Sequence, residues 1–273
     1  MAEPWSAHES DRPYIRPARR FNPWIAVAAI AAVAWIGAFS FRWVFQPVIE
    51  PAPHATPLAQ EPSSDRPVPT TPAGRLLDAV STAGSLPRLE NSDSLMRDRL
   101  SGLVGRQAFA DYFIAADIVR RIVATVDNLP RATAPRRVMP LNAVPGAFTP
   151  DGTNYARYAP YVRVFDALDA HALVQAYVGA YPLFQRAYEE LGFSGKYFNH
   201  RLLEALDDLV ATPDIAKPLE FMRPRVLYEF ADPDLETRSA GQKMLLRMGP
   251  ENAARVKAKL GEIRRELAQA TRP

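Results

Sequence analysis

The sequence predicts a mostly α-helical domain, built of several helices and carried behind one transmembrane helix and a proline-rich linker. Three observations point there. Residues Trp24 to Phe41 form an apolar run without a single charge. Residues Gln46 to Gly74 are dense in proline. From residue 86 onward, apolar side chains recur three and four apart, the period of a helix, and no alternating strand series stands out.

The run WIAVAAIAAVAWIGAFSF is eighteen residues long. As a helix it spans roughly 27 Å, close to the hydrocarbon thickness of a bilayer. Arg12, Arg16, Arg19 and Arg20 precede it, whereas only Arg42 follows closely. Basic residues are retained on the cytoplasmic side, so residues 1–22 read as a cytoplasmic tail and the C-terminal bulk as exported. Trp24 and Trp43 stand at the two ends, where an indole can keep its N–H among headgroups. The run exceeds the roughly 7–15 apolar residues of a cleaved signal peptide, and Ala38-Phe39-Ser40 is a poor cleavage site. Residues 23–45 are therefore expected to remain as a signal-anchor, with residues 24–45 meeting the lipid bilayer. Ala28 and Ala32, then Ala34 and Ala38, would let two such helices approach closely. Alanine abundance explains the same spacing, and the oligomeric state is left open.

The linker, residues 46–85, carries Pro47, Pro51, Pro53, Pro57, Pro62, Pro67, Pro69 and Pro72. Proline at that density favours extended, disordered chain and builds no core. At about 3.1 Å per residue it can reach several tens of ångströms. What remains, residues 86–270, is ample for one core-bearing domain. The net charge of +3 is small and dispersed, which gives no case for nucleic acid. There are no cysteines, which excludes disulfides, zinc-thiolate sites and cysteine nucleophiles.

Within the domain, Leu95, Met96, Leu100, Leu103 and Val104 predict a helix over Asp93 to Val104. Ile114, Ile118, Ile122 and Val126 predict a second, ending near Asn128-Leu129-Pro130. Pro130 to Gly152 reads as an irregular crossing, with at most a short extended pair around Val138 to Leu141. Tyr158, Tyr161, Val162 and Phe165 then share one helical side. Asp169 is placed to cap one helix running to Leu191 and stopping at Gly192, with a kink at Pro182. Asn199 to Val210 is a further helix, and Phe221 to Phe230 is ambiguous. Asp232-Pro233 opens another helix that closes at Gly249. Pro250 starts the last, whose Val256, Leu260, Ile263 and Leu267 are spaced four, three, four.

The most unusual local feature is aromatic. Tyr177, Tyr181, Phe184 and Tyr188 are spaced four, three, four, on one face of that predicted single helix. Seven of the ten tyrosines fall between residues 155 and 197. A groove lined with amphipathic rings could hold a peptide or a sugar, and these four residues are the expected ligand-binding set. A closed core would use the same face. His200 and Glu204 lie one helical turn apart, with Asp207 and Asp208 following, a spacing that can present metal ligands but is more often structural. Glu229, Asp232, Asp234 and Glu236 gather at a helix entrance, where carboxylates serve either acid–base work or the helix dipole. Basic residues collect at Arg131, Arg136 and Arg137 and at Lys257, Lys259, Arg264 and Arg265, as an anion site or as solvated faces. No Gly-x-Ser-x-Gly elbow, phosphate loop, dinucleotide fingerprint or His-Glu-x-x-His occurs. No catalytic residue, metal or cofactor is expected.

Six segments taken together, LVGRQAFADYF (103–113), IVRRIVATVDNLP (118–130), NYARYAPYV (154–162), YPLFQRAYEELG (181–192), LYEFADPDLE (227–236) and SAGQKMLLRMGPENAARVKAKL (239–260), resemble an uncharacterised proteobacterial family, a domain of unknown function. The resemblance runs from Leu86 to Leu267 and implies single-pass proteins of a Gram-negative inner membrane. It carries over no activity and no functional residue. The expected role is a membrane-anchored periplasmic binding or scaffold module for a protein or cell-wall partner. The alternative is an envelope enzyme processing glycans or peptides, which requires a deep cleft holding at least two of Glu190, His200, Glu229, Asp232 and Asp234.

Overall fold

Helix α1, Asp93–Val104, opens the helical domain after a short 3-10 turn at Leu89–Asn91. The computed structural model describes residues 86–150, 152–215, 217–224 and 227–271. The expected tail, anchor and linker (1–22, 23–45 and 46–85) lie outside the described residues. Among the described residues no helix is long and apolar enough to cross a membrane. The domain is mostly helical, as its periodicity predicts. After α1 come α2 (Arg106–Tyr112), α3 (Ile118–Asn128), α4 (Ala159–Asp166), α5 (Ala170–Val178), α6 (Tyr181–Glu190) and α7 (Phe198–Val210). A two-stranded antiparallel ribbon, β1 (Phe221–Met222) and β2 (Glu229–Phe230), precedes α8 (Pro233–Glu236), α9 (Ala240–Arg247) and α10 (Pro250–Ala270).

Two helices organise the core. The long α10 packs across α4, α5 and α7, and α3 packs against α1, α6 and α7. On α10, Val256, Leu260, Ile263 and Leu267 are all buried, so the four-three-four stripe is the core seam. On α3, Ile118, Val119, Ile122, Val123 and Val126 are buried. β-branched residues lower helix propensity by only about 0.5 kcal/mol each. Burying one such side chain contributes roughly 1.5–3 kcal/mol, so tertiary burial decides the conformation.

Helix α3 starts later than its apolar spacing suggests. Ile114 lies ahead of it and donates its N–H to the Pro140 carbonyl at 2.8 Å. Beside it, Phe113 and Leu141 form an isolated antiparallel bridge, and Arg136–Val138 is a 3-10 turn. Asp117, just before α3, is left-handed at φ 53° and makes no local cap. The cap comes from α1: Asp93 Oδ2 accepts from the Asp117 N–H and Oδ1 from the Ile118 N–H, both at 2.9 Å.

Two expected long helices are each divided. Asp169 caps as predicted, its Oδ1 accepting from the Ala172 N–H at 2.9 Å. The helix then stops at Val178, and a new one begins at Tyr181. Pro182 sits in the first turn of α6, where its missing N–H sacrifices no bond, so it starts a helix rather than kinking one. Asp232 likewise caps only the short α8. A second cap, Ser239, accepts from the Gln242 N–H at 3.1 Å and begins α9. The pattern Ser239-x-x-Gln242 has the capping-box spacing. The first turn of α9 is satisfied from outside as well: Ala240 N–H donates to the Arg131 carbonyl at 2.7 Å and Gly241 N–H to the Leu129 carbonyl at 2.9 Å. The free donors of one helix start meet the free acceptors beyond another helix's end.

The ambiguous segment at residues 221–230 is the ribbon. Phe221 pairs with Phe230 and Met222 with Glu229. With Leu235, Leu246, Ile215 and Leu219 these phenylalanines form a second, small apolar cluster.

Candidate functional site

The aromatic quartet is core. Tyr177, Tyr181, Phe184 and Tyr188 are 2, 0, 1 and 4% exposed. Tyr177 lies on α5 and the other three on α6, so they share a face across the break rather than along one helix. Tyr177 meets Tyr181 edge-on at 5.8 Å and Phe184 at 5.4 Å, and Phe184 stacks on Phe198 of α7 at 5.8 Å. Tyr188 stacks on Phe193 at 4.6 Å. Burial pushes the Tyr177 hydroxyl well above its usual pKa of 10, with neighbouring Tyr181 adding to the effect. Burial, then the Asp127 charge, pushes Tyr188 up to about 12. The open groove expected from these four rings is closed by α3 and α7, which pack on α6. Their spacing is a stability feature.

The polar candidates are dispersed into local partnerships. His200 lies edge-on to Tyr197 at 5.7 Å. Glu204 pairs with Arg201 at 2.7 Å, and Asp207 with Arg264 at 2.8 Å. Asp208 accepts from Ser239 Oγ at 2.6 Å and Gln242 Nε2 at 3.2 Å. Among the described residues, no three His, Asp or Glu side chains gather to hold a metal. Glu236 accepts from the Phe230 N–H at 2.8 Å and pairs with Lys243 at 3.1 Å. Glu190 pairs with Arg120 at 3.1 Å and Arg186 at 3.3 Å. Of the basic clusters, Arg131, Lys257, Lys259 and Arg264 are similarly engaged. Lys257 reaches Asp214 at 2.8 Å, and Lys259 reaches Glu262 at 2.6 Å.

One charged network escaped the sequence reading. Asp127, on the last turn of α3, is 5% exposed. Its Oδ1 accepts from Arg201 Nε at 3.1 Å and its Oδ2 from Arg131 Nη2 at 2.8 Å. Its carbonyl accepts from both guanidinium groups as well, through Arg131 Nε at 3.1 Å and Arg201 Nη2. Every oxygen is engaged, so the group ties α3 to α7.

Among the described residues a feature with room for a ligand lies elsewhere, between α1, α2 and α4. Gly105 adopts φ 87°, which lets α1 turn into α2 with one residue between them. The corner and α4 enclose a half-open groove of about 1450 Å³. Leu103, Phe109 and Phe113 form its recessed floor at 7, 6 and 7% exposed, the two rings stacked at 5.2 Å. Tyr112 leans on Tyr161 at 4.6 Å beside it. Arg97, Arg106 and Arg163, one from each helix, stand exposed at the opening with Asp98. Among the described residues none of these three guanidinium groups forms an ion pair or hydrogen bond. Gly102 also lines the groove, and a Cβ there would find nothing within 4 Å. None of Glu190, His200, Glu229, Asp232 and Asp234 lines it. The arrangement offers apolar area and fixed positive charge, which is chemistry for binding. No periodicity could have revealed it, since its arginines come from three helices separated in sequence.

No curated protein and no solved structure matches the chain. A family model described as "Protein of unknown function (DUF3014)" matches residues 118–264, from the start of α3 into α10. The α4 wall of the groove lies inside the matched region, and the α1–α2 wall precedes it. The match spans more than half of the 273 residues, and the chain belongs to this family of unknown function.

Proposed function

We propose that the protein is a membrane-anchored binding module of the bacterial envelope. In this reading residues 1–22 stay in the cytoplasm and residues 23–45 span the inner membrane of a Gram-negative cell. Residues 46–85 act as a spacer, and the helical domain works in the periplasm. The arginine-rich N-terminal flank, the uncharged run from Trp24 to Phe41 and the proline-rich stretch support that placement. The observation that carries the binding role is the groove between α1, α2 and α4, apolar at its floor and unpaired in charge at its rim. Large concave apolar sites with a few convergent polar groups are where ligands bind.

Photocrosslinking in cells tests the role. A benzoylphenylalanine at Gly102, on the groove, should give a discrete adduct, and one at exposed Ala254 on α10 should not. Absence of any adduct from Gly102, or the same adducts from both positions, overturns the groove as the binding surface. A reporter fused after Gly74 tests the placement: it should be active only in export-dependent form, and a cytoplasmically active fusion reverses the topology.

A further inference from the structure

We infer that the groove between α1, α2 and α4 takes an acidic, apolar polypeptide segment of another protein, its carboxylates held by Arg97, Arg106 and Arg163. This rests on the binding-module reading and adds the chemistry of the partner. Size is the first ground. At about 1450 Å³ the groove exceeds the roughly 300–1000 Å³ typical of small-ligand pockets, and it is half-open to solvent, which suits a length of chain.

Charge is the second ground. Several cations of the domain meet anions: Arg120 with Glu190, Arg131 and Arg201 with Asp127, Lys257 with Asp214, Arg264 with Asp207. At the groove three cations without such a partner come together from three helices. Three guanidinium groups accompany one carboxylate, Asp98, and among the described residues none of the three forms an ion pair or hydrogen bond. A planar guanidinium presents paired N–H donors that match a carboxylate's two oxygens, and three of them on separate helices select a ligand with several acidic groups set apart. Relief is the third. The floor residues Leu103, Phe109 and Phe113 are only 6–7% exposed while the arginines around them are exposed, a relief that favours a ligand with protruding Leu or Phe side chains over a flat surface. The apolar floor and the basic rim together describe a segment in which Asp or Glu flanks large apolar residues.

The test uses the full-length chain in detergent and fluorescence anisotropy of labelled synthetic peptides. The first peptide combines Asp and Glu with Leu and Phe. The second replaces the acids by Asn and Gln. The acidic peptide should bind at least ~10-fold more tightly than its neutral counterpart, the effect of about one close charge pair. The combined variant Arg97→Glu, Arg106→Glu, Arg163→Glu should lose binding by on the order of 100-fold or more. These three side chains are exposed, so circular dichroism should show an intact fold. Replacing the same three by Lys should restore part of the affinity, since charge returns without the fork. Raising salt should weaken the interaction as screening shortens from ~10 Å at 0.1 M to ~3 Å at 1 M.

Equal affinity for the neutral peptide, or unchanged binding to the charge-reversed variant, overturns the inference. So does arginine-dependent displacement of the peptide by phosphatidylglycerol vesicles, which would assign the rim to a lipid surface. The two levels fail separately. If the Gly102 crosslinker captures a protein while acidic peptides show no preference, the binding role stands and the acidic chemistry falls. If neither occurs, both fall.

Discussion

Substituting Gly241 by alanine adds one methyl group where the start of α9 meets the end of α3. The new Cβ would lie 2.5 Å from Leu209 Cδ2, 3.3 Å from the Leu129 carbonyl oxygen and 3.4 Å from Leu129 Cβ. Leu209 and Leu129 are both fully buried, so neither has space to retreat. Overpacking of this kind costs about 1–3 kcal/mol. Displacing α9 also stretches the 2.9 Å hydrogen bond from the Gly241 N–H to Leu129, worth ~1 kcal/mol. The alanine's better helix propensity returns at most about 1 kcal/mol. The net expectation is destabilisation by about 1–3 kcal/mol. For a domain of this size each kcal/mol moves the melting midpoint by ~2–4 °C, so the midpoint should fall by roughly 2–12 °C. Gly102→Ala is the control, because the same methyl on α1 meets nothing within 4 Å. There the propensity gain of about 0.5–1 kcal/mol acts alone and the midpoint should rise by roughly 1–4 °C. Thermal unfolding followed by circular dichroism reads both. Shifts of the same sign in the two variants would refute the reasoning, since local space would then not be deciding the outcome.

Asp127→Ala should cost about 3–5 kcal/mol in urea unfolding, because it leaves Arg201, only 14% exposed at its side chain, without its buried carboxylate. A loss below ~1 kcal/mol would mean that Glu204 alone suffices. Asp93→Ala should cost about 1–2 kcal/mol by uncapping α3 from across the fold, and amide exchange should accelerate first at Ile118 and its neighbours. Asp208 makes stability depend on pH. Burial raises its pKa above the usual 3.8, partly countered by the Ser239 hydroxyl. A carboxyl raised in the folded state favours folding while protonated, so its contribution is present below about pH 3.8 and is lost as pH rises through the raised value. Asp208→Asn should therefore gain stability relative to the parent between acid and neutral pH, and a constant difference across that range in denaturation midpoints would count against it.

The helices that the sequence makes plain are those whose burial and period coincide. Val256, Leu260, Ile263 and Leu267 repeat at helical spacing and fall on the seam, and Ile118 to Val126 do the same. Boundaries within the two divided helices were harder. Gly179 is a stop and Pro182 and Ser239 are starts, signals that a continuous apolar stripe overrides in reading, while Thr237-Arg238 carries no strong stop. The tyrosine spacing was legible, but its environment was not. Whether a ring faces a cleft or a neighbour depends on α3 and α7, elements distant in the chain. The groove is the clearest case. Arg97, Arg106 and Arg163 are unremarkable as three isolated letters, and only the Gly105 corner together with α4 brings them to one opening. Asp93 likewise caps a helix 24 residues onward, beyond any local rule.

The junction of α3 with α9 has a consequence in time. The carbonyls of Leu129 and Arg131 stay without their partners until Ala240 and Gly241 have been synthesised, more than a hundred residues later. An emerging chain can coil α3 early, yet its end is sealed only when nearly the whole domain has left the ribosome. Truncations between Thr212 and Asp232 should therefore yield no folded half, and an early helix waits on a late one for completion.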